Sequence, residues 1–138
     1  MRRLALVLAS FAVFAIAGCD SEEIAAPVGD GVEGRYTLRT VNGQPLPFTF
    51  FEMGADHAEI VSDTFDIHEG VYTSVTRIRR TTNNVVRSET VADAGEWARV
   101  GATLHFLSHV NGAMFQARSD GRNTLTFDID GLPAVYQR

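Results

Sequence analysis

The sequence predicts an all-β protein, an antiparallel up-and-down meander that closes into a small barrel of roughly eight or nine strands. From residue 35 onward, apolar and polar residues alternate in short runs, as in Thr124–Ile129. Turn-forming residues separate these runs roughly every eight to twelve positions. No run after the leader has a helical period, and closure removes exposed sheet edges. An open or sandwiched meander is the alternative architecture.

The first half of the domain predicts short strands around a proline-rich break. Arg35–Val41 is the first strand and ends at Asn42-Gly43, a pair that favours a tight hairpin turn. Gln44–Pro47 cannot be a central strand, because each of its two prolines lacks a backbone N–H. Phe48–Met53 fits either an edge strand or a loop over one barrel end. His57–Glu69 is a strand with a bend near residues 62–64.

The second half predicts a hairpin followed by a regular meander. The hairpin consists of Val71–Thr81 and Val85–Ala92 around the turn Thr82–Asn84. Five further short strands follow, separated by glycine-containing turns: Glu96–Val100, Thr103–Ser108, Ala113–Arg118, Thr124–Ile129 and Ala134–Gln137. Trp97, Phe106, Phe115 and Phe127 fall at strand spacing and are predicted core residues.

The N-terminal segment has the features of an export leader. Two arginines precede Leu4–Ala17, an apolar run of secretory length that is too short to span a bilayer. Residues 16–19, Ile-Ala-Gly-Cys, resemble the lipobox of bacterial prolipoproteins. The resemblance implies cleavage after Gly18 and lipidation of Cys19, the only cysteine of the chain. The alternatives are an uncleaved anchor helix and a secreted protein with an incidental cysteine.

These features divide the chain into three parts. Residues 1–18 are a predicted lipoprotein signal peptide, and 19–34 comprise the lipidated cysteine and an acidic, flexible tether. Residues 35–138 form the predicted β-barrel domain. The protein is therefore expected in the bacterial cell envelope, held to the inner or outer membrane through Cys19 and facing the periplasm or the exterior. Asp20 resembles an enterobacterial retention signal but leaves the choice of membrane open.

Composition excludes several kinds of function. Loss of the two leader arginines lowers the net charge from −5 to −7, which argues against nucleic acid as a partner. The chain has no lysine for Schiff-base chemistry, and lipidation would consume its single thiol. The four histidines lack zinc-site spacing, and Asp128–Gly131 fits a hairpin turn better than a calcium loop. No catalytic residue, cofactor or metal site is predicted.

Both ends of the domain resemble the lipocalin-like group of calycin barrels. Lipocalins begin their first strand with Gly-x-Trp, and an arginine after the last strand covers the tryptophan ring. Here Gly34 and Tyr36 open the first strand, and Arg138 follows the last one. The resemblance implies a structural contact between these three residues, with tyrosine in place of tryptophan, and a barrel that holds a small ligand.

A second resemblance is closer in sequence. A group of small uncharacterised bacterial lipoproteins shares a Gly-x-Tyr-x-Leu strand, the turn found here at Val41–Pro47, and a final Val-Tyr-x-Arg strand, found here at Val135–Arg138. This resemblance supports the lipoprotein interpretation and implies no activity.

Two non-enzymatic functions remain open on the sequence alone, and a hydrolase or other enzyme is a third alternative that would require several polar residues to converge in one cleft. The preferred one is a non-enzymatic lipoprotein that binds or carries a small or apolar ligand, such as a lipid, inside its barrel. Candidate ligand-binding residues are Arg77, Arg79 and His105; at a barrel mouth the arginines would suit a carboxylate or phosphate group. These arginines equally fit a solvated strand face, with Arg77 opposite Glu89. The alternative function is a solid barrel that contacts another envelope protein.

Overall fold

The computed structural model describes residues 31–138, which contain ten β-strands and no helix. The strands are β1 (Gly34–Val41), β2 (Gln44–Pro45), β3 (Phe48–Met53), β4 (Asp56–His68), β5 (Val71–Thr82), β6 (Val85–Val100), β7 (Thr103–Ser108), β8 (Met114–Ser119), β9 (Thr124–Ile129) and β10 (Leu132–Gln137). The predicted all-β class is confirmed.

Eight of these strands form a closed antiparallel barrel. Strands β4 to β10 are neighbours in chain order, and β1 closes the ring between β10 and β4. Leu38 lies opposite Tyr136 on one side of β1, and Tyr36 lies opposite Phe65 on the other. Closure confirms the predicted up-and-down barrel over an open meander. The remaining two strands, β2 and β3, are short edge additions to β1 and β4.

Three barrel strands continue beyond the barrel and form an outer extension together with β3. It consists of β3, the first half of β4, the second half of β5 and the first half of β6. Phe48–Met53 is thus an edge strand rather than a loop. A register shift between Ile60 and Ser62 marks the bend of β4 that the sequence indicated.

Strand β6 differs from the prediction because it runs unbroken through Gly95. The sequence indicated two strands, Val85–Ala92 and Glu96–Val100, whereas one strand of 16 residues spans both. A Cβ atom at Gly95 would lie 1.9 Å from the carbonyl oxygen of Leu107 and 2.9 Å from the Tyr72 ring. The glycine therefore permits close approach inside the sheet and does not end the strand.

The hairpin turn between β5 and β6 is one residue shorter than predicted. Asn83 and Asn84 have φ angles of 50° and 61°, the left-handed pair that a two-residue type I′ turn requires. Thr82 belongs to β5. Glu89 consequently lies opposite Ile78, and the expected pairing of Arg77 with Glu89 is wrong.

Aromatic side chains fill much of the barrel. The ring of Phe65 stacks on Tyr72 at 5.0 Å between centroids and meets the edge of Phe106 at 5.1 Å. Trp97, Phe106 and Phe127 are buried as predicted, and Phe115 is partly buried. We call the end where β1 begins and β10 finishes the closed end, because buried side chains cover it: Val32, Tyr36, Ile67, Trp97, Leu104 and Leu125. The opposite end is the open end.

Candidate ligand-binding cup

A cavity of about 340 Å³, here called the cup, lies inside the barrel toward the open end. Its aromatic wall consists of Phe65, Phe115, Phe127 and Tyr136. Its acidic residues are Asp63, Asp128 and Asp130. The cup therefore combines an apolar lining with negative charge.

A lateral slot between β8 and β9 leads to the cup. These strands pair only from Ala117 to Ser119, so the first half of β8 and the end of β9 separate. A second cavity of about 340 Å³ lies beside the slot and shares Gln116, Phe127 and Asp128 with the cup. A ligand could enter between the two strands without passing through the aromatic core.

Asp63 is the buried carboxylate of the cup. Its Oδ2 atom accepts hydrogen bonds from the Tyr136 hydroxyl at 2.9 Å and the Thr76 hydroxyl at 3.1 Å. Its Oδ1 atom is buried and has no hydrogen-bond partner of good geometry among residues 31–138, although the adjacent backbone amide of Thr64 is close enough to lower the pKa of the carboxyl group. The residue is 9% exposed, and burial raises the pKa of its carboxyl group. An unsatisfied buried acceptor of this kind costs about 1–3 kcal/mol, a cost that a ligand donor would relieve.

Asp93, on β6, provides an internal comparison. The Tyr72 hydroxyl donates to its Oδ2 at 2.8 Å, and the Ser108 hydroxyl donates to its Oδ1 at 2.6 Å. Burial and the hydrogen bond to Asp93 both raise the pKa of Tyr72. Both oxygens of Asp93 are thus occupied within the protein. The indole Nε1 of Trp97 is also unpartnered in the described chain, but it belongs to the closed end.

The cup suits a ligand with a donor head and an apolar body. An ammonium or hydroxyl group could donate to Asp63 Oδ1, and the aromatic faces favour a cation and its hydrocarbon portion. Within residues 31–138, no group of three or more histidine, aspartate, glutamate or cysteine side chains could hold a metal ion.

The residues proposed from sequence for ligand binding lie elsewhere. Arg77 and Arg79 face outward, because Tyr72 and Ser74 of the same strand point inward and neighbouring side chains alternate. Arg79 forms an ion pair with Glu59 at 2.7 Å, and this hydrogen bond lowers the pKa of Glu59. Neither arginine lines the cup.

His105 is also on the outer surface of the barrel. It stands between the buried residues Leu104 and Phe106 on β7, so its side chain points to the other face. It does not line the cup.

Sequence reasoning missed Asp63, although its position carried a signal. It lies at the same strand parity as Phe65 and Ile67, whose side chains point into the barrel. An acidic residue in an apolar inward series is costly to bury unless it is bonded or functional. The bend nearby obscured that parity, because a register shift changes which residues point inward.

At the closed end, the structure brings Gly34, Tyr36 and Arg138 together. The Arg138 guanidinium lies 5.2 Å from the centre of the Tyr36 ring and donates to the carbonyl oxygen of Glu33 at 2.8 Å. It also donates to the carbonyl oxygens of Gly31 and Arg122. A Cβ atom at position 34 would lie 3.1 Å from Arg138 Cδ, so glycine allows the arginine to pass. Stacking of this kind contributes about 0.5–1 kcal/mol at partly exposed sites.

The predicted signal peptide, Cys19 and most of the predicted tether lie outside the described residues. Within residues 31–138, no helix has the length and hydrophobicity needed to cross a membrane.

Comparisons with known proteins give one structural likeness. No family model matches the chain, and no curated protein matches it. The crystal structure of a lipocalin-like protein from Bacteroides uniformis ATCC 8492 aligns with a TM-score of 0.48 and 11% sequence identity. The alignment covers 80% of this chain and 99% of the other.

Proposed function

We propose that the protein binds a small molecule in the cup, one with an apolar body and a hydrogen-bond-donating, preferably cationic, head. The observation that carries the proposal is the unpartnered Oδ1 atom of Asp63, buried beside four aromatic side chains. A cup of about 340 Å³ is near the lower limit of small-molecule sites, which suits a compact ligand.

The proposed role is binding or carrying rather than catalysis. Asp63 is held by Tyr136 and Thr76, an arrangement that fixes its direction and leaves one acceptor atom for a ligand. We further propose that the protein acts in the bacterial cell envelope, anchored through lipid on Cys19. The lipobox resemblance of residues 16–19 supports this location.

A matched set of aryl ligands tests the chemistry of the cup. Phenethylammonium, its neutral counterpart 2-phenylethanol and the anion 3-phenylpropionate share a similar body and differ in the head group. Isothermal titration of the full chain in detergent should give the order ammonium, alcohol, carboxylate, from tightest to weakest. Asp63→Asn should remove most of the preference for the ammonium over the alcohol, a loss of about tenfold or more.

Asp128→Asn is the matched control, because Asp128 lies at the rim of the cup and is exposed. It should change the preference for the cation by less than about threefold, as expected of a solvated charge. Equal ammonium affinity in the wild type and in Asp63→Asn would contradict the proposal, as would tighter binding of the carboxylate.

A second candidate function is contact with another envelope protein. The outer extension favours it, because several large apolar side chains are exposed there: Phe50, Phe51, Met53, Val85 and Val86. The aromatic side chains that occupy the barrel between the cup and the closed end agree with an interior that is mainly structural. Absence of binding by all three aryl ligands, together with recovery of a specific partner by crosslinking in the envelope, would favour this second function.

A further inference from the structure

Strand β6 carries a long free edge in the outer extension. It pairs with β5 from Val85 to Glu96, but with β7 only from Gly95 to Val100. Residues 85–92 are all exposed, and no other described strand pairs with their second side. An unpaired strand of this length is a template for a further strand.

The direction of the backbone groups on this edge follows from two hydrogen bonds. Ala94 accepts from the His109 amide on the β7 side, whereas Trp97 donates to the Gly70 carbonyl on the β5 side. Backbone groups alternate in direction along a strand, and the pairing with β5 contains no register shift. The N–H and C=O groups of Val86, Ser88 and Thr90 therefore face the free edge.

The edge sequence Val-Val-Arg-Ser-Glu-Thr-Val is complementary to itself when two copies run antiparallel about Ser88. In that register Ser88 faces Ser88 of the second copy, and Val86 faces Thr90. The side chain of Arg87 then lies opposite Glu89, twice in the symmetric pair. These are non-hydrogen-bonded positions, where opposing side chains approach most closely.

The two charges also disfavour the neighbouring registers. A shift that preserves the sheet face places either Arg87 opposite Arg87 or Glu89 opposite Glu89, both of which are repulsive. Arg87 forms no ion pair among residues 31–138, whereas Glu89 accepts a hydrogen bond from Arg80 through Oε1 at 2.9 Å. A second arginine from another copy could use the remaining carboxylate oxygen.

We propose that the free edge of β6 pairs with the same edge of a second copy of this chain, antiparallel and centred on Ser88. The result is a twofold dimer in which the two outer extensions form one continuous sheet. Such a pairing is isologous and closes on itself. It is independent of the ligand proposed for the cup.

Cysteine crosslinking tests the twofold register directly. In the proposed dimer the two Ser88 Cα atoms are about 5.5 Å apart, a distance that a disulfide can bridge. The full-length Ser88→Cys chain, in detergent and under mild oxidation, should form a covalent dimer. Val86→Cys is the matched control on the same face of the strand. It should not crosslink, because Val86 faces Thr90 of the second copy, and the second cysteine lies four positions further along that strand. The wild type controls for Cys19.

A charge exchange provides the second test. Arg87→Glu and Glu89→Arg should each raise the dissociation constant about tenfold or more in sedimentation equilibrium, because like charges then face each other. An equimolar mixture of the two variants should associate again, since every opposing pair becomes complementary. Circular dichroism should show an unchanged barrel for both.

Three results would overturn the proposal. One is crosslinking of Val86→Cys as efficient as that of Ser88→Cys, which would mean a different register or random collision. Another is a mixture of the charge variants that associates no better than either alone. The third is association abolished by changes on the edge of β3, at Phe50 and Phe51, and not by changes on β6.

Discussion

At the scale of single residues, Asp63 and Asp120 show that the environment can shift the pKa of the same kind of side chain in opposite directions. Burial in the barrel raises the pKa of Asp63. Backbone N–H groups of Thr124, Arg122 and Asn123 bond the Asp120 carboxylate and lower its pKa. Relative to the unfolded chain, folding therefore shifts the protonation equilibrium of Asp63 toward the acid and that of Asp120 toward the carboxylate.

We predict opposite pH dependences for Asp63→Asn and Asp120→Asn. A raised folded-state pKa contributes stability below the ordinary value of about 4, and that contribution is lost as pH rises through the folded-state value. Asp63→Asn should therefore gain stability relative to the wild type as pH rises above about 4.

The lowered pKa of Asp120 contributes stability above the ordinary value, and this contribution is lost as pH falls. Asp120→Asn should accordingly lose stability relative to the wild type as pH rises toward 7. Urea unfolding at several pH values measures both variants. If the stability of both variants relative to the wild type changed with pH in the same direction, burial would not be what raises the pKa of Asp63.

At the scale of elements, the alternation of apolar and polar residues predicted well the bounds of short strands that lie wholly within the barrel. Thr103–Ser108 and Thr124–Ile129 have the predicted bounds. The bounds of the longest strands were harder to predict. Gly95, inside β6, has the sequence signature of a turn, whereas in the structure it allows a close contact between strands. The Asn83-Asn84 turn shows how one residue of loop length moves every cross-strand pair, including the partner of Glu89.

Gly95→Ala should destabilise the protein by about 3 kcal/mol or more, because the new methyl group meets backbone as well as a buried ring. Chemical denaturation measures the loss. Gly112→Ala is the control: its Cβ would meet open space, and its φ of 72° should cost only about 1 kcal/mol. Equal losses for the two variants would mean that the sheet relaxes around position 95.

At the scale of the whole molecule, the sequence predicted the closed barrel but not the position of the cup. Closure could be predicted because a regular antiparallel meander has few arrangements other than a closed barrel. The cup depends on long-range register: Tyr136 meets Asp63 across 73 positions of sequence, and β8 is separated from β9 before Ala117. Neither this contact nor this separation has a local signal in the sequence. Arg77 and Arg79 were candidates as a basic cluster near a strand end, and the register that turns them outward is likewise not visible locally.

The barrel should tolerate changes near the cup better than changes in its centre. Phe106 is buried and contacts three other phenylalanine rings as well as Tyr72, so Phe106→Ala should cost about 3–5 kcal/mol. Phe115 is only partly buried beside the cup, and Phe115→Ala should cost less while enlarging the cavity. Denaturant unfolding compares the two losses. A larger loss for Phe115→Ala would place the structural centre at the open end.

The contact of Arg138 with Gly31 has a geometric consequence for an anchored protein. It brings the start of the described chain to the closed end, whereas the cup opens toward the opposite end. If residues before Gly31 lead to lipid on Cys19, as proposed, the anchored segment joins the domain at the end of the barrel that is remote from the cup. With the closed end toward the bilayer the cup would face the aqueous space, and it would reach the membrane only when the predicted flexible tether allowed the barrel to rotate.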